Sequence, residues 1–167
     1  MEFGISLGSN LGDRLAHLRA ARGQIVALPN VREVACSPVY ETEPVQVRPE
    51  HRDKPYLNAV MIVEAPPAPG ELADSLHGIE AALGRVRSAD RNAPRPIDLD
   101  VLYAGDCTSA APALTLPHPR WAERRFVVQP LADVRPALRL PGHPETVAGL
   151  LLSLPPHPDV VLFSLAW

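Results

Sequence analysis

Hydrophobic and polar positions alternate at the start of the chain. In "EFGISL", Phe3, Ile5 and Leu7 share one face, which predicts a strand of period two. "GSNLGD" follows: Asn10 is suited to cap a helix, and Asp13 puts a carboxylate in its first turn. Leu11, Leu15, Leu18, Ile25 and Leu28 then form a helical stripe that stops at Pro29. Residues 31–40, "VREVACSPVY", read as a second strand. A long polar loop over 41–55 leads to a third, "YLNAVMIVEA", rich in β-branched residues. Leu72, Leu76, Ile79 and Leu83 recur at helical spacing until Gly84. An arginine-rich loop, "RVRSADRNAPRP", enters the fourth strand, "IDLDVLYAG".

The order β-α-β-β-α-β predicts an α+β fold of the ferredoxin-like kind: an antiparallel sheet with both helices on one face. The other face is left for later segments or a ligand. From about Asp106 the chain is Pro-rich, a C-terminal extension. Short helices are expected in "RWAERRFVVQPLADV" and "ETVAGLLLSL", and a late strand in "DVVLFSL".

A length of 167 residues suits one domain, residues 1–167. A net charge of −3 lacks the basic excess of a nucleic-acid binder. Of the 16 basic residues only Lys54 is lysine, a bias assigned to a GC-rich genome rather than to function. Cys36 and Cys107 have no metal-ligand spacing and read as unpaired thiols in a reducing compartment. The start of the chain lacks the pattern of a signal peptide, and no apolar run approaches the ~20 residues of a membrane span. A cytoplasmic protein without membrane contact is expected.

Two carboxylates interrupt the fourth strand. Residues i and i+2 point to the same face, so Asp98 and Asp100 project together, their Cα atoms about 6.6 Å apart. Ile97, Leu99, Val101 and Tyr103 are expected on the helix face. Like charges on one face need water or a cation between them. A bare D-x-D reads most simply as a hydrated edge, but its spacing also suits a pair of Mg²⁺ ions. Arg85, Arg87, Arg91 and Arg95 precede the pair. They are either salt-bridge partners or an anion clamp beside a divalent-cation site. Tyr56 and Asn58 share a face by the same rule. They read equally as edge residues or as a platform and amide for a flat heterocycle. His77 and Glu80, three apart on the second helix, read as a solvated face, and His118 alone carries little weight.

"GSNLGD", "SPVYETEPV", "YLNAV", "GRVR", "RNAPRPIDLDVL" and "LPHPRWAERRFV" resemble, in order and spacing, the 6-hydroxymethyl-7,8-dihydropterin pyrophosphokinases of folate synthesis. The resemblance runs from residue 2 to about 135, and R-x-A-P-R-x-x-D-L-D is its most specific segment. It implies transfer of the β,γ-pyrophosphoryl group of ATP to the pterin hydroxymethyl oxygen, with release of AMP. It assigns two Mg²⁺ ions to Asp98 and Asp100, and charge stabilisation during transfer to Arg85 and Arg95. It assigns the pterin to Tyr56, Phe126, Asn58 and the backbone from Thr42 to Val45. It assigns ATP to His77, Glu80, Arg87, Arg91, Val101, Thr115, His118 and Arg124. The partners it implies are small molecules, with no nucleic acid and no obligate protein. Transfer of this type depends on positioning and charge neutralisation more than on covalent chemistry.

The chain departs from the better-known members of the family at His77, Asn92, Ala93, Pro119 and the glycine-free middle loop. Three other readings fit less well. In metal-dependent nucleotidyltransferases the Gly-Ser and the D-x-D lie close in sequence, whereas Gly8-Ser9 and Asp98 are far apart here. RNA-recognition domains share the element order, but the aromatic pattern of their central strands is missing. A degenerate, inactive relative is disfavoured by the presence of the aspartates and arginines.

Overall fold

The computed structural model describes residues 1–44, 48–51, 53–66, 68–86 and 93–167. The strands are β1 (Glu2–Ser9), β2 (Arg32–Cys36), β3 (Val39–Thr42), β4 (Tyr56–Glu64), β5 (Asp98–Ala104), β6 (Ser109–Ala111), β7 (Leu114–Leu116) and β8 (Val160–Ser164). The helices are α1 (Arg14–Val26), α2 (Pro69–Ala82), α3 (Arg125–Val134) and α4 (Val147–Ser153). The main sheet is antiparallel in the order β5-β1-β4-β3-β8, and β2 also pairs with β4. Strands β6 and β7 form a separate hairpin.

The alternation in β1 divides the molecule. Phe3, Ile5 and Leu7 pack with Leu18 and Ile25 of α1 and with Leu72, Leu76 and Ile79 of α2. A second core lies across the sheet, where Val60 and Ile62 of β4 meet Trp121 and Val127, Val128 and Leu131 of α3. As expected, α1 and α2 share one face, and the C-terminal segment supplies the layer on the other. This explains why β4 reads as a continuous apolar run: seven of its nine residues are buried.

Three local expectations change. The second strand is two strands, because Ser37 and Pro38 break it. Ser37 gives its N–H to the Val60 carbonyl and accepts the Val60 N–H on Oγ, both at 2.9 Å, while Pro38 has no N–H to offer. The cap of α1 is Asp13, whose carboxylate accepts from the Ala16 N–H at 3.0 Å; Asn10 is used elsewhere. Tyr103 lies on the α3 face, not under α1 and α2. The β1–β5 register shifts between Gly4 and Ile5, which turns the ring over Gly4, where any Cβ would overlap it. The Tyr103 hydroxyl donates to Glu2 at 2.6 Å.

The chain end closes the outer edge. β8 pairs with β3, and Arg14 stands 5.9 Å from the centre of the Phe163 ring. The Trp167 indole N–H donates to the Ser37 carbonyl at 2.8 Å, and the Arg22 guanidinium lies 5.1 Å from the indole ring. Among the described residues, no helix is long and apolar enough to cross a membrane.

Candidate active site

Three neighbouring strands set the floor of the site. Gly8 of β1 sits opposite Asn58 of β4 on one side and Asp98 of β5 on the other. Ser6, one rung along, sits opposite Val60 and Asp100. The period-two rule thus brings Asp98, Asp100, Tyr56 and Asn58 to one face, as expected. A cleft over this face is lined by Thr42, Tyr56, Asn58, Arg95, Asp98 and Asp100, and Arg124 and Phe126 lean in from the start of α3.

Several polar groups in the cleft have defined partners. The Asn58 amide donates from Nδ2 to the Thr42 hydroxyl at 2.7 Å, and both residues are buried. That fixes the orientation of the amide and leaves Oδ1 as the acceptor at the cleft floor. The Arg95 guanidinium stands 6.0 Å from the Tyr56 ring centre, and Arg124 stands 5.6 Å from that of Phe126. Asp98 is held by Arg85 and by Arg95, the latter at 3.2 Å. Burial, followed by the repulsion of Asp98, pushes the Asp100 carboxyl up to about 6, although Arg124, Arg85 and Arg95 pull against it. The Arg124 guanidinium is itself held below its ordinary value by burial and by Arg120.

A second cleft opens beyond Asp100, which forms the wall between the two. It is lined by His77, Val101, Thr115 and His118 together with Leu76 and Leu114. The β6–β7 hairpin, absent from the sequence reading, carries Thr115 to this place. Burial and the neighbouring Arg124 and Arg120 push the His118 imidazole down to about 4, so it is neutral at pH 7. Its Nδ1 accepts the Arg120 N–H at 3.2 Å, which leaves the proton on Nε2 as a donor.

Glu80 is not on a solvated helix face. It is buried, accepts the Leu99 N–H at 2.7 Å and pairs with Arg85. It therefore ties α2 to β5 and steadies Arg85 beside Asp98, while His77, a turn away, is exposed. Val45, Arg87 and Arg91 lie outside the described residues.

The sequence reading missed Asn10. Its Oδ1 accepts the Arg95 N–H at 2.8 Å, its own N–H donates to the Arg95 carbonyl at 3.2 Å, and Nδ2 reaches the Lys54 carbonyl at 3.4 Å. Ser6 and Gly8 were missed as well, although the alternation in "EFGISLGS" already placed them opposite the core face.

Among the described residues, no group of three or more His, Cys, Asp or Glu side chains is set to hold a metal ion. The donor set of Asp98 and Asp100 still suits a hard cation. It offers carboxylate oxygens on one face, with a mutual repulsion that positive charge would relieve.

The two clefts thus meet at one carboxylate, Asp100. The chain belongs to the 7,8-dihydro-6-hydroxymethylpterin-pyrophosphokinase (HPPK) family, whose model matches residues 4–136. It is 40% identical over 152 residues to the 2-amino-4-hydroxy-6-hydroxymethyldihydropteridine pyrophosphokinase of Methylorubrum extorquens, covering 91% of this chain and 92% of that one. It is 39% identical over 137 residues to the Pseudomonas aeruginosa protein of the same name, covering 82% of each. It also matches the folic acid synthesis protein fol1 of Schizosaccharomyces pombe at 35% identity, covering 85% of this chain but only 18% of that longer protein. A crystal structure of a Plasmodium falciparum HPPK-DHPS triple mutant superposes with a TM-score of 0.69 at 14% identity, over 90% of this chain and 44% of that one. That likeness concerns the fold alone.

Proposed function

We propose that the protein transfers a pyrophosphoryl group from ATP to the hydroxymethyl oxygen of 6-hydroxymethyl-7,8-dihydropterin, in folate biosynthesis. The hydroxymethyl oxygen bonds to the β-phosphorus, the bond between the β-phosphorus and the α–β bridging oxygen breaks, and AMP leaves. The hydroxyl proton passes to solvent. The observation that carries this reading is the Asp98–Asp100 pair in the first cleft, with Asp100 also lining the second.

The pterin ring occupies the first cleft between Tyr56 and Phe126, with the Asn58 carbonyl oxygen accepting from its polar edge. The nucleotide occupies the second, along Val101, Thr115 and His118, where the Nε2 proton of neutral His118 donates to a phosphate oxygen. Asp98 and Asp100 would hold two Mg²⁺ ions through their carboxylate oxygens. The chemistry such ions would supply is charge neutralisation of the triphosphate and a more acidic attacking hydroxyl. Arg85 and Arg95, already beside Asp98, balance charge on the transferred group. Residues 1–167 act as a single domain built on a ferredoxin-like core in which β2 and β3 count as one bent strand.

Incubation with ATP, Mg²⁺ and the hydroxymethyl-dihydropterin should yield AMP in proportion to pterin, and Asp98→Ala should lose at least about a hundredfold in turnover. ADP as the product, or near-normal turnover in the variant, would refute the assignment.

A further inference from the structure

The rung of Asn58, Gly8 and Asp98 spans three adjacent strands. Strands lie about 4.8 Å apart, so Asn58 and Asp98 are roughly 10 Å apart across the sheet, with Gly8 midway. On the reading above, the heterocycle meets Asn58 at one end and its hydroxyl reaches the Asp98 side at the other. A substrate spanning them crosses directly over Gly8.

A Cβ built on Gly8 would stand 3.4 Å from Asn58 Oδ1, 3.8 Å from the Tyr56 ring and 3.9 Å from the Asp98 Cβ. These are ordinary contacts, and the backbone there needs no left-handed conformation, so the fold itself accepts a methyl group. The substrate path does not. One Asn58 Nδ2–H goes to Thr42, which sets Oδ1 as the amide's acceptor for a ligand donor, and the methyl would stand 3.4 Å from that oxygen, on the side the substrate crosses. Gly4, on the same face of β1, has a different reason to be glycine, since the Tyr103 ring fills its space. Among the described residues, nothing stands closer than 3.4 Å to the position a Gly8 Cβ would take.

We infer that Gly8 determines substrate specificity. Its missing side chain forms the floor over which a flat heterocycle, presenting N–H donors to Asn58, extends its hydroxymethyl arm to the Asp98 side. This inference rests on the pterin reading and adds a residue to it.

The test is Gly8→Ala, followed by Gly8→Val, in the full chain. The melting temperature of Gly8→Ala should stay within about 2 °C of the parent. Its affinity for the Mg²⁺ complex of a non-hydrolysable ATP analogue should also be unchanged. Affinity for 6-hydroxymethyl-7,8-dihydropterin, read by calorimetric titration, should fall about tenfold or more, and further in Gly8→Val. Unchanged pterin affinity in Gly8→Ala would overturn the inference. So would a matching loss of nucleotide affinity or melting temperature, which would mark Gly8 as structural. A parent protein that itself fails to bind the pterin would refute the proposed function, and the inference with it; that result is distinct from a parent and variant that bind alike.

Discussion

Glu2 shows how one side chain couples distant segments. It accepts from the Tyr103 hydroxyl and forms a forked pair with Arg135, with N–O distances of 2.7–3.2 Å. The Arg135 hydrogen bonds hold its carboxyl below the ordinary value of 4.5. The unfolded chain therefore binds the proton more readily than the native one. The stabilisation is full above the unfolded value and is lost as pH falls through the lower native value. The pair is partly exposed, so its contribution is about 1 kcal/mol. Urea denaturation of Glu2→Gln should show this deficit at pH 7, and the deficit should shrink as pH falls below the ordinary carboxylate range. A deficit that stayed constant with pH would assign the effect to packing. Side chains such as Asn10 were misread at this scale for a physical reason. An Asn before a helical stripe satisfies the rule for a cap, but two loops distant in sequence offered its side chain the Arg95 N–H and the Lys54 carbonyl, and Asp13 caps instead.

Periodicity revealed the elements well where a strand or helix had one buried face. β1 and α2 follow their patterns; the α1 stripe holds at Leu15, Leu18 and Ile25 but not at Leu11, which is exposed ahead of the helix, and the β5 pattern holds as far as Val101 but not at Tyr103. It failed where tertiary partners intervened. The Ser37–Pro38 break became necessary because Val60 needed partners between two pairing strands. The β6–β7 hairpin is three residues a side and carries no alternation strong enough to read. The tail had no legible role because its partner is the second sheet face, which no local pattern describes. For the site, period two sufficed to join Asp98 with Asp100 and Tyr56 with Asn58. Bringing those pairs together with Phe126, Arg124 and His118 required strand order and the return of α3, neither of which a single sequence displays. Trp167 tests the tail as an element. Trp167→Ala removes the bond to Ser37 and the stacking on Arg22, and should cost about 2 kcal/mol in chemical denaturation. A loss below about 0.5 kcal/mol would mean that the tail merely lies on the edge.

At the scale of the molecule, the two clefts share an acidic wall, and this governs how ligands stabilise the fold. A triphosphate approaching Asp98 and Asp100 without a divalent cation meets like charge. A non-hydrolysable ATP analogue should therefore raise the melting temperature little in EDTA and clearly in Mg²⁺. Saturation at a hundred times Kd corresponds to about 2.7 kcal/mol of added stability. Equal shifts in both buffers would locate the nucleotide away from the carboxylates.

β1 is constrained differently on its two sides. Phe3, Ile5 and Leu7 fill the packed interior, where a change of one methylene is felt. Gly4, on the reverse, has no room beside Tyr103, and Gly8 leaves a floor bare. Evolutionary drift along this strand meets two unrelated barriers in alternation, stability at the odd positions and, at Gly8, the substrate path. Among descendants of this sequence, β1 should change slowly at neighbouring residues for reasons that have nothing in common.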